Sequence, residues 1–407
     1  MRVGVRNFSP AFLRQAREAR GITGVTLAEL IGVTRQAISQ YEGGASAPSP
    51  DVLERLSTHL NLPLGYFVRA GNPPAAENSI FFRSLAAATK TARVRERNRL
   101  AWHLEIVDYI SRYVVFPDVD FPSIKGETAP GEWTLEDIEA VATATRNHWG
   151  LGNQPIPDLT EVLERHGAIV LRCELGADSL DAFSTWHLNT PHIVLSSGKR
   201  SAVRSRYDAA HELAHQVLHR QCTTAMLSRT TNLKAVEAEA HLFAGAFLLP
   251  AETFADEVVL PTLDGLLGLK PRWRASVGAM IMRARQLELI GDLEQRRLWV
   301  GYSSRSWRRE EPLDDSLPIE QPRLLANAFK IAIADARLGF AEIQQSLPYA
   351  VRDLEQLIGL PENFFKESLP PLVTSRSNAP RVADVGRGIV VQFPGERAES
   401  TLRPRDA

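Results

Sequence analysis

The sequence predicts a mainly α-helical protein carrying one small α+β unit, and three observations point there. The first 70 residues break into short amphipathic segments opened by Ser or Thr, the pattern of a five-helix bundle containing a helix-turn-helix. Three strand candidates, "AIVLRC" (168–173), "AFSTWH" (182–187) and "HIVLS" (192–196), lie among helices at about 134–148, 158–166 and 202–219. Beyond residue 262 nearly everything reads as helix, apart from "GIVVQF" (388–393) and a charged tail expected to be mobile. At 407 residues the chain exceeds one small core. The expected divisions are 1–70, 71–130 (linker and long helix), 131–260, 261–312 and 313–407.

With 44% hydrophobic and 23% charged residues the composition is that of a globular protein. No run approaches the ~18 apolar residues of a membrane span, and "MRVGVRNFSP" lacks an apolar signal core. A cytoplasmic location and no membrane partner are expected. Cys173 and Cys222 are too few for a disulfide framework and read as reduced, structural thiols. Residues 1–100 hold 14 Lys plus Arg against 7 Asp plus Glu, although the whole chain is at −1. A basic N-terminal quarter on an otherwise acidic chain suggests nucleic acid as a partner of that end.

Element by element, Ser9 and Pro10 open a first helix with Phe12, Leu13 and Ala16 on one face. Thr23 caps a second, which carries Leu27, Ala28, Leu30 and Ile31 and stops at Gly32. Thr34 caps a third, "RQAISQYE", with Ile38 inward and Arg35, Gln36, Ser39 and Gln40 outward. Two short helices joined by Gly-Val-Thr form a helix-turn-helix whose second helix can read base edges. Arg pairs with guanine and Gln with adenine in two-pronged fashion, and Ser39 suits phosphate or base. "APSPDVLERLSTHLNLP" supplies a closing helix.

Over nearly its whole length "GITGVTLAELIGVTRQAISQYEGGASAPSPDVLERLSTHLNLP" resembles the Cro-type, lambda-repressor-like (XRE) helix-turn-helix domain. The resemblance implies a double-stranded DNA operator contacted by Thr34, Arg35, Gln36, Ser39 and Gln40, and a palindromic operator would make a homodimer natural. Gly24 departs from it, standing where many members carry a DNA-contacting Gln.

"AGNPPAAENS" (70–79) reads as a hinge. "FFRSLAAATKTARVRERNRLAWHLEIVDYISRYV" then reads as one long helix from residue 81, apolar along Leu100, Leu104, Val107 and Ile110, to support a dimer or pack on the next unit. Three prolines in "VVFPDVDFPSIKGETAPGE" set a boundary near 130.

On the 202–219 helix, "RYDAAHELAHQVLH" puts His211 and His215 one turn apart on one face. Two neutral imidazoles so spaced can take two of the four tetrahedral positions around Zn2+, leaving Glu212 beside a water that the ion acidifies. A third ligand is required. In "NLKAVEAEAHLFAGAFLLP", Glu237 is the first choice, with Glu239 and His241 as alternatives, while Val236, Ala240, Phe243 and Phe247 form the apolar face. His219, read as a helix-end residue, His187, His192 and Tyr207 are candidates to stabilise an oxyanion.

"SRYDAAHELAHQVLH" followed by "EAEAHLFAGAFLLP" resembles the ImmA/IrrE family of zinc metallopeptidases. The resemblance implies His211, His215 and Glu237 as zinc ligands and Glu212 as catalytic acid/base. It also implies a thermolysin-like core whose edge strand holds an extended peptide. His241 falls where members often have Asn, and Leu249 replaces a frequent Met.

Residues 262–312 read as helices broken at "GLKP", a second helix-turn-helix shape, with Val277, Met280, Ile281 and Ala284 as a stripe and Trp273 and Trp307 as core anchors. Residues 319–365 hold three or four more helices. The expected function is a DNA-binding regulator carrying a zinc endopeptidase that cuts a repressor-type, helix-turn-helix protein. The alternative is a transcription factor whose peptidase-like unit only senses a ligand or partner.

Overall fold

The computed structural model describes residues 4–74, 80–81, 89–124, 128–176, 180–199, 201–335, 337–367 and 389–390. Helices α1 (Pro10–Ala19), α2 (Gly24–Ile31), α3 (Arg35–Glu42), α4 (Pro50–Leu60) and α5 (Leu64–Val68) form the N-terminal bundle. Thr23 and Thr34 cap α2 and α3 by accepting the N–H of Thr26 and Ala37, each at 3.1 Å. Gly32 closes α2 in the left-handed region at φ +66°.

After strand β1 (Ile80–Phe81) comes α6 (Lys90–Ile110), capped by Thr89. Of the helix expected from residue 81, Phe81 is corrected, since it pairs in a sheet; residues 82–88 lie outside the described residues, and the described helix begins where Thr89 satisfies the Ala92 N–H. Leu100, Leu104, Val107 and Ile110 are buried along it.

Strand β2 (Val114–Val115) precedes α7 (Leu135–His148), opened by a Thr134/Asp137 capping box, and α8 (Leu159–Arg165). Next come β3 (Ile169–Cys173), β4 (Ala182–His187), β5 (Thr190–Ser196), α9 (Ala202–Leu218), α10 (Thr224–Leu227), α11 (Thr230–Leu248) and α12 (Ala251–Glu257). The main sheet has the order β1-β4-β5-β3; β4 is antiparallel to β1 and β5, and β3 is parallel to β5.

Side-chain alternation makes this sheet a wall between two cores. Ile169, Leu171, Phe183 and Val194 face a core shared with α1–α6 and the C-terminal helices. Val170, Ala182, Ile193 and Leu195 face the other, built with α7, α8, α9, α11 and the helices after 262. One face of the sheet thus carries α9 and its histidines, and the opposite face carries the bundle side.

The later helices are α13 (Leu263–Trp273), α14 (Val277–Gln286), α15 (Asp292–Ser304), α16 (Leu324–Ala334), α17 (Phe340–Ser346), α18 (Val351–Ile358) and α19 (Phe364–Glu367). The break expected at "GLKP" is displaced: α13 continues through Pro271, and the chain turns at Arg274 (φ +48°) before Ser276 caps α14. Lys270 explains this. Its ammonium is fully buried and held by Glu311 at 2.9 Å and Asp314 at 2.7 Å, which fixes the helix across the proline. Trp273 and Trp307 are core residues, as is the stripe Val277, Met280, Ile281 and Ala284.

Of "GIVVQF", β6 (Ile389–Val390) is described and pairs in parallel with β2; the remainder and the charged tail lie outside the described residues. Among the described residues no helix is long and apolar enough to cross a membrane.

Candidate metal centre and nucleic-acid interface

Helix α9 is anchored before it reaches its histidines. Ser201 caps it and donates its hydroxyl to Asp314 at 2.9 Å, while Arg206, near its start, pairs with Glu320 and donates to the Ile156 carbonyl at 2.5 Å. Leu213, Ala214 and Val217 bury the helix against α11 and the sheet. His211 and His215 then point toward α11, their Nε2 atoms 3.1 Å apart.

Glu237, buried on α11, brings its carboxylate oxygens to 3.2 Å from His211 Nε2 and 3.6 Å from His215 Nε2. These three residues form the one His/Cys/Asp/Glu cluster with metal-holding spacing found among the described residues. Four ligands around Zn2+ at about 2.0–2.1 Å stand about 3.3 Å from one another. The three separations match that edge length, so the residues fit a tetrahedral divalent cation with one corner left over.

The other two candidates for third ligand go elsewhere. Glu239 accepts the N–H of Gly131 at 2.8 Å on one oxygen and meets His219 Nε2 at 3.0 Å on the other. His219 in turn lies 3.0 Å, Nδ1 to Nδ1, from His215. His219 is therefore more than a helix-end residue. Burial lowers its pKa, against the opposing pull of Glu239. A neutral His219 donating from Nε2 to Glu239 must accept at Nδ1. His215 then donates from its own Nδ1, and its Nε2 lone pair faces His211 and Glu237. His241 stands beside the cluster, its ring 4.5 Å from that of His211 and its carbonyl accepting the Tyr207 hydroxyl at 3.2 Å.

Glu212 sits on the sheet side of α9, where Ser184 on β4 donates its hydroxyl at 2.6 Å. Burial raises its pKa to about 7, against the lowering effects of His211 and the Ser184 hydrogen bond. For His211, burial lowers the pKa, and the Glu237 hydrogen bond with the nearby charges of Glu212, Glu237 and Asp208 outweighs it, so the net shift is upward.

Two oxyanion candidates are corrected. Ser184 faces α9, so Thr185 and His187 on the same strand, and His192 opposite Thr185, face the other way. There His192 meets His103 of α6 at 3.5 Å, and His187 meets Asp108 at 3.3 Å. Tyr207 remains on the α11 side, with His241. Sequence reasoning missed Ser184, Gly131 and the Glu239–His219 link. The parity of β4 could have flagged Ser184, and the i+4 spacing of His219 from His215 was visible.

At the other end of the chain, Ile38 anchors α3 in the bundle core and Thr34, Arg35, Gln36, Ser39 and Gln40 are all exposed. Arg17 holds the far end of α3 through Glu42 at 2.6 and 3.0 Å. Gly24 leaves ordinary room for a side chain, a Cβ there meeting Ile38 at 3.7 Å.

Residues 13–67 match the helix-turn-helix family model, and residues 163–285 match the model of the IrrE N-terminal-like domain. No curated protein matches the chain. A DNA-binding domain of the XRE type is thus joined in one polypeptide to a metallopeptidase-type domain.

Proposed function

We propose that this union of a helix-turn-helix and an IrrE N-terminal-like domain is a DNA-bound regulator that hydrolyses peptide bonds in a repressor-type protein, itself bearing a helix-turn-helix. The observation that supports it most is the triangle of His211, His215 and Glu237 with Glu212 on the adjoining position of the same helix. A structural site has no use for that fourth, non-ligating carboxylate; hydrolysis does.

In this reading His211 and His215 hold zinc through Nε2 and Glu237 through its carboxylate. Zinc bound there supplies Lewis acidity, polarising a carbonyl and acidifying water. Glu212 takes the proton of the attacking water and returns it to the departing amine. Ser184 keeps the Glu212 carboxylate aimed by holding one oxygen. Glu239, through His219, keeps the His215 ring in the tautomer that presents Nε2. Thr34, Arg35, Gln36, Ser39 and Gln40 read the operator, as a dimer if the operator is palindromic. The whole would operate in the cytoplasm.

The test is incubation of the zinc-loaded chain with the repressor encoded beside its gene, wild type against Glu212→Gln. A discrete cut by wild type alone is expected. Stoichiometric zinc with no cut in either sample would overturn hydrolysis in favour of a sensing role.

A further inference from the structure

We infer that the first half of α6 carries a second set of DNA contacts, in which Lys90, Arg93 and Arg97 grip the phosphate backbone beside the bases read by α3. The inference rests on the DNA-binding reading of the bundle and adds to it a surface outside residues 13–67. Residues 90–99, KTARVRERNR, hold five cations and one carboxylate. That carboxylate, Glu96, is turned inward: it is 1% exposed, accepts the Gly176 N–H at 2.9 Å and lies 3.5 Å from Arg95 Nε. Arg99 is buried as well. Lys90, Arg93 and Arg97 remain, all exposed and, at spacings of three and four residues, on one face of the helix. Among the described residues none of the three meets a carboxylate. Like charges one turn apart repel and disfavour the helix that carries them, and a polyanion laid along this stripe removes that repulsion.

The stripe is held in place beside the helix-turn-helix. Trp102 donates to the Tyr66 hydroxyl at 3.1 Å and Asn98 to Glu18 at 3.2 Å, which lays α6 along α1. Arg95 covers Gly21, where a Cβ would meet its Cδ at 3.2 Å. Gly21 lies in the turn leading to Thr23, the cap of α2. In a helix-turn-helix the first helix crosses the backbone while the second enters the groove, so the start of α6 adjoins the element that meets phosphate. Arg97 shares a groove with Arg14 and with Glu42 and Gly43 at the end of α3. The carboxylates there are engaged by Arg17, Glu42 at 2.6 Å and Glu18 at 3.6 Å, so Arg14 and Arg97 leave the groove positive. Such groups bind phosphate whatever the sequence, so α6 contributes affinity and salt dependence rather than base preference.

The test uses the full chain bearing Arg93→Gln and Arg97→Gln, exposed replacements that leave the buried face of α6 untouched. Two duplexes of about 30 base pairs serve as probes, one selected by the wild-type chain from a random pool and one of random sequence, with binding followed by fluorescence anisotropy between about 50 and 200 mM salt. Each lost phosphate contact lowers the slope of log affinity against log salt by about 0.9, so the double variant is expected to lose about 1.8. Both duplexes should bind about tenfold more weakly or worse, with the ratio between them unchanged. Adding Lys90→Gln should take a further ~0.9 from the slope. Arg93→Lys with Arg97→Lys keeps the point charges and should restore both readouts. An unchanged slope, a loss that Lys does not restore, or a loss confined to the selected duplex would overturn the inference. Base-selective binding with an unaffected slope removes the α6 contacts and leaves α3 as the reader, whereas a wild-type chain that binds neither duplex removes both.

Discussion

Replacing Glu239 by Gln is expected to weaken zinc binding by about 10- to 100-fold, though Glu239 is not one of the three clustered residues. The carboxylate accepts two hydrogen bonds, from the Gly131 N–H at 2.8 Å and from His219 Nε2 at 3.0 Å, and it is 4% exposed, so water cannot substitute. A glutamine has one acceptor to offer. If it serves Gly131, the amide N–H2 faces His219 and forces that ring to accept at Nε2 and donate at Nδ1. His215 must then accept at Nδ1 and carry its proton on Nε2, the nitrogen turned toward Glu237. If the oxygen instead serves His219, the Gly131 N–H is left buried and unpaired, at about 1–3 kcal/mol. A 10- to 100-fold change represents about 1.4–2.7 kcal/mol, which overlaps the cost of the second outcome. The assay is a competition titration with a chromogenic chelator, with circular dichroism to confirm the fold. Affinity within twofold of wild type would refute the hydrogen-bond chain as the device that orients His215.

Three further outcomes are expected. Lys270→Met leaves the Glu311 and Asp314 carboxylates buried without their cation and should cost about 3–5 kcal/mol in urea unfolding; a loss under about 1 kcal/mol would mean the cluster does not hold α13. Burial lowers the His103 pKa to about 4, with the Leu357 carbonyl opposing and His187 assisting, so the unfolded chain binds the proton more tightly. Its contribution is complete above about pH 6.5 and is lost as pH falls toward 4, roughly 3 kcal/mol in all, and His103→Gln should flatten that part of the stability profile. Gln36→Ala should weaken binding to a selected operator by about 1–3 kcal/mol with specificity relaxed at one base pair, whereas a uniform loss across sequences would assign Gln36 to the phosphates.

Much of the architecture was readable because local chemistry and tertiary context agree. Thr23, Thr34 and Ser201 cap the helices they precede, and the apolar periods of 277–284 and 236–247 are buried as the pattern demands. The misreadings share one cause, partners distant in sequence. Phe81 continues in sequence into a helical pattern, but it is claimed by Ser184, more than a hundred residues away. "GLKP" looks like a break, yet Lys270 finds its counter-charges at 311 and 314.

At the site, helical spacing was enough to put His211 and His215 on one face. The choice among Glu237, Glu239 and His241 was not legible, since it depends on how α11 crosses α9. That crossing brings Glu237 to the pair, Glu239 to His219 and His241 to Tyr207. The placement of His187 and His192 was within reach: once Ser184 is assigned to the α9 face, strand alternation sends both to the other.

The most direct measurement is the zinc content of purified protein by elemental analysis, comparing wild type, Glu212→Gln, Glu237→Ala and His215→Ala. The account expects one equivalent of zinc in the first two and loss of tight binding in the last two. Full zinc in Glu237→Ala together with His215→Ala, or its loss in Glu212→Gln alone, would contradict it.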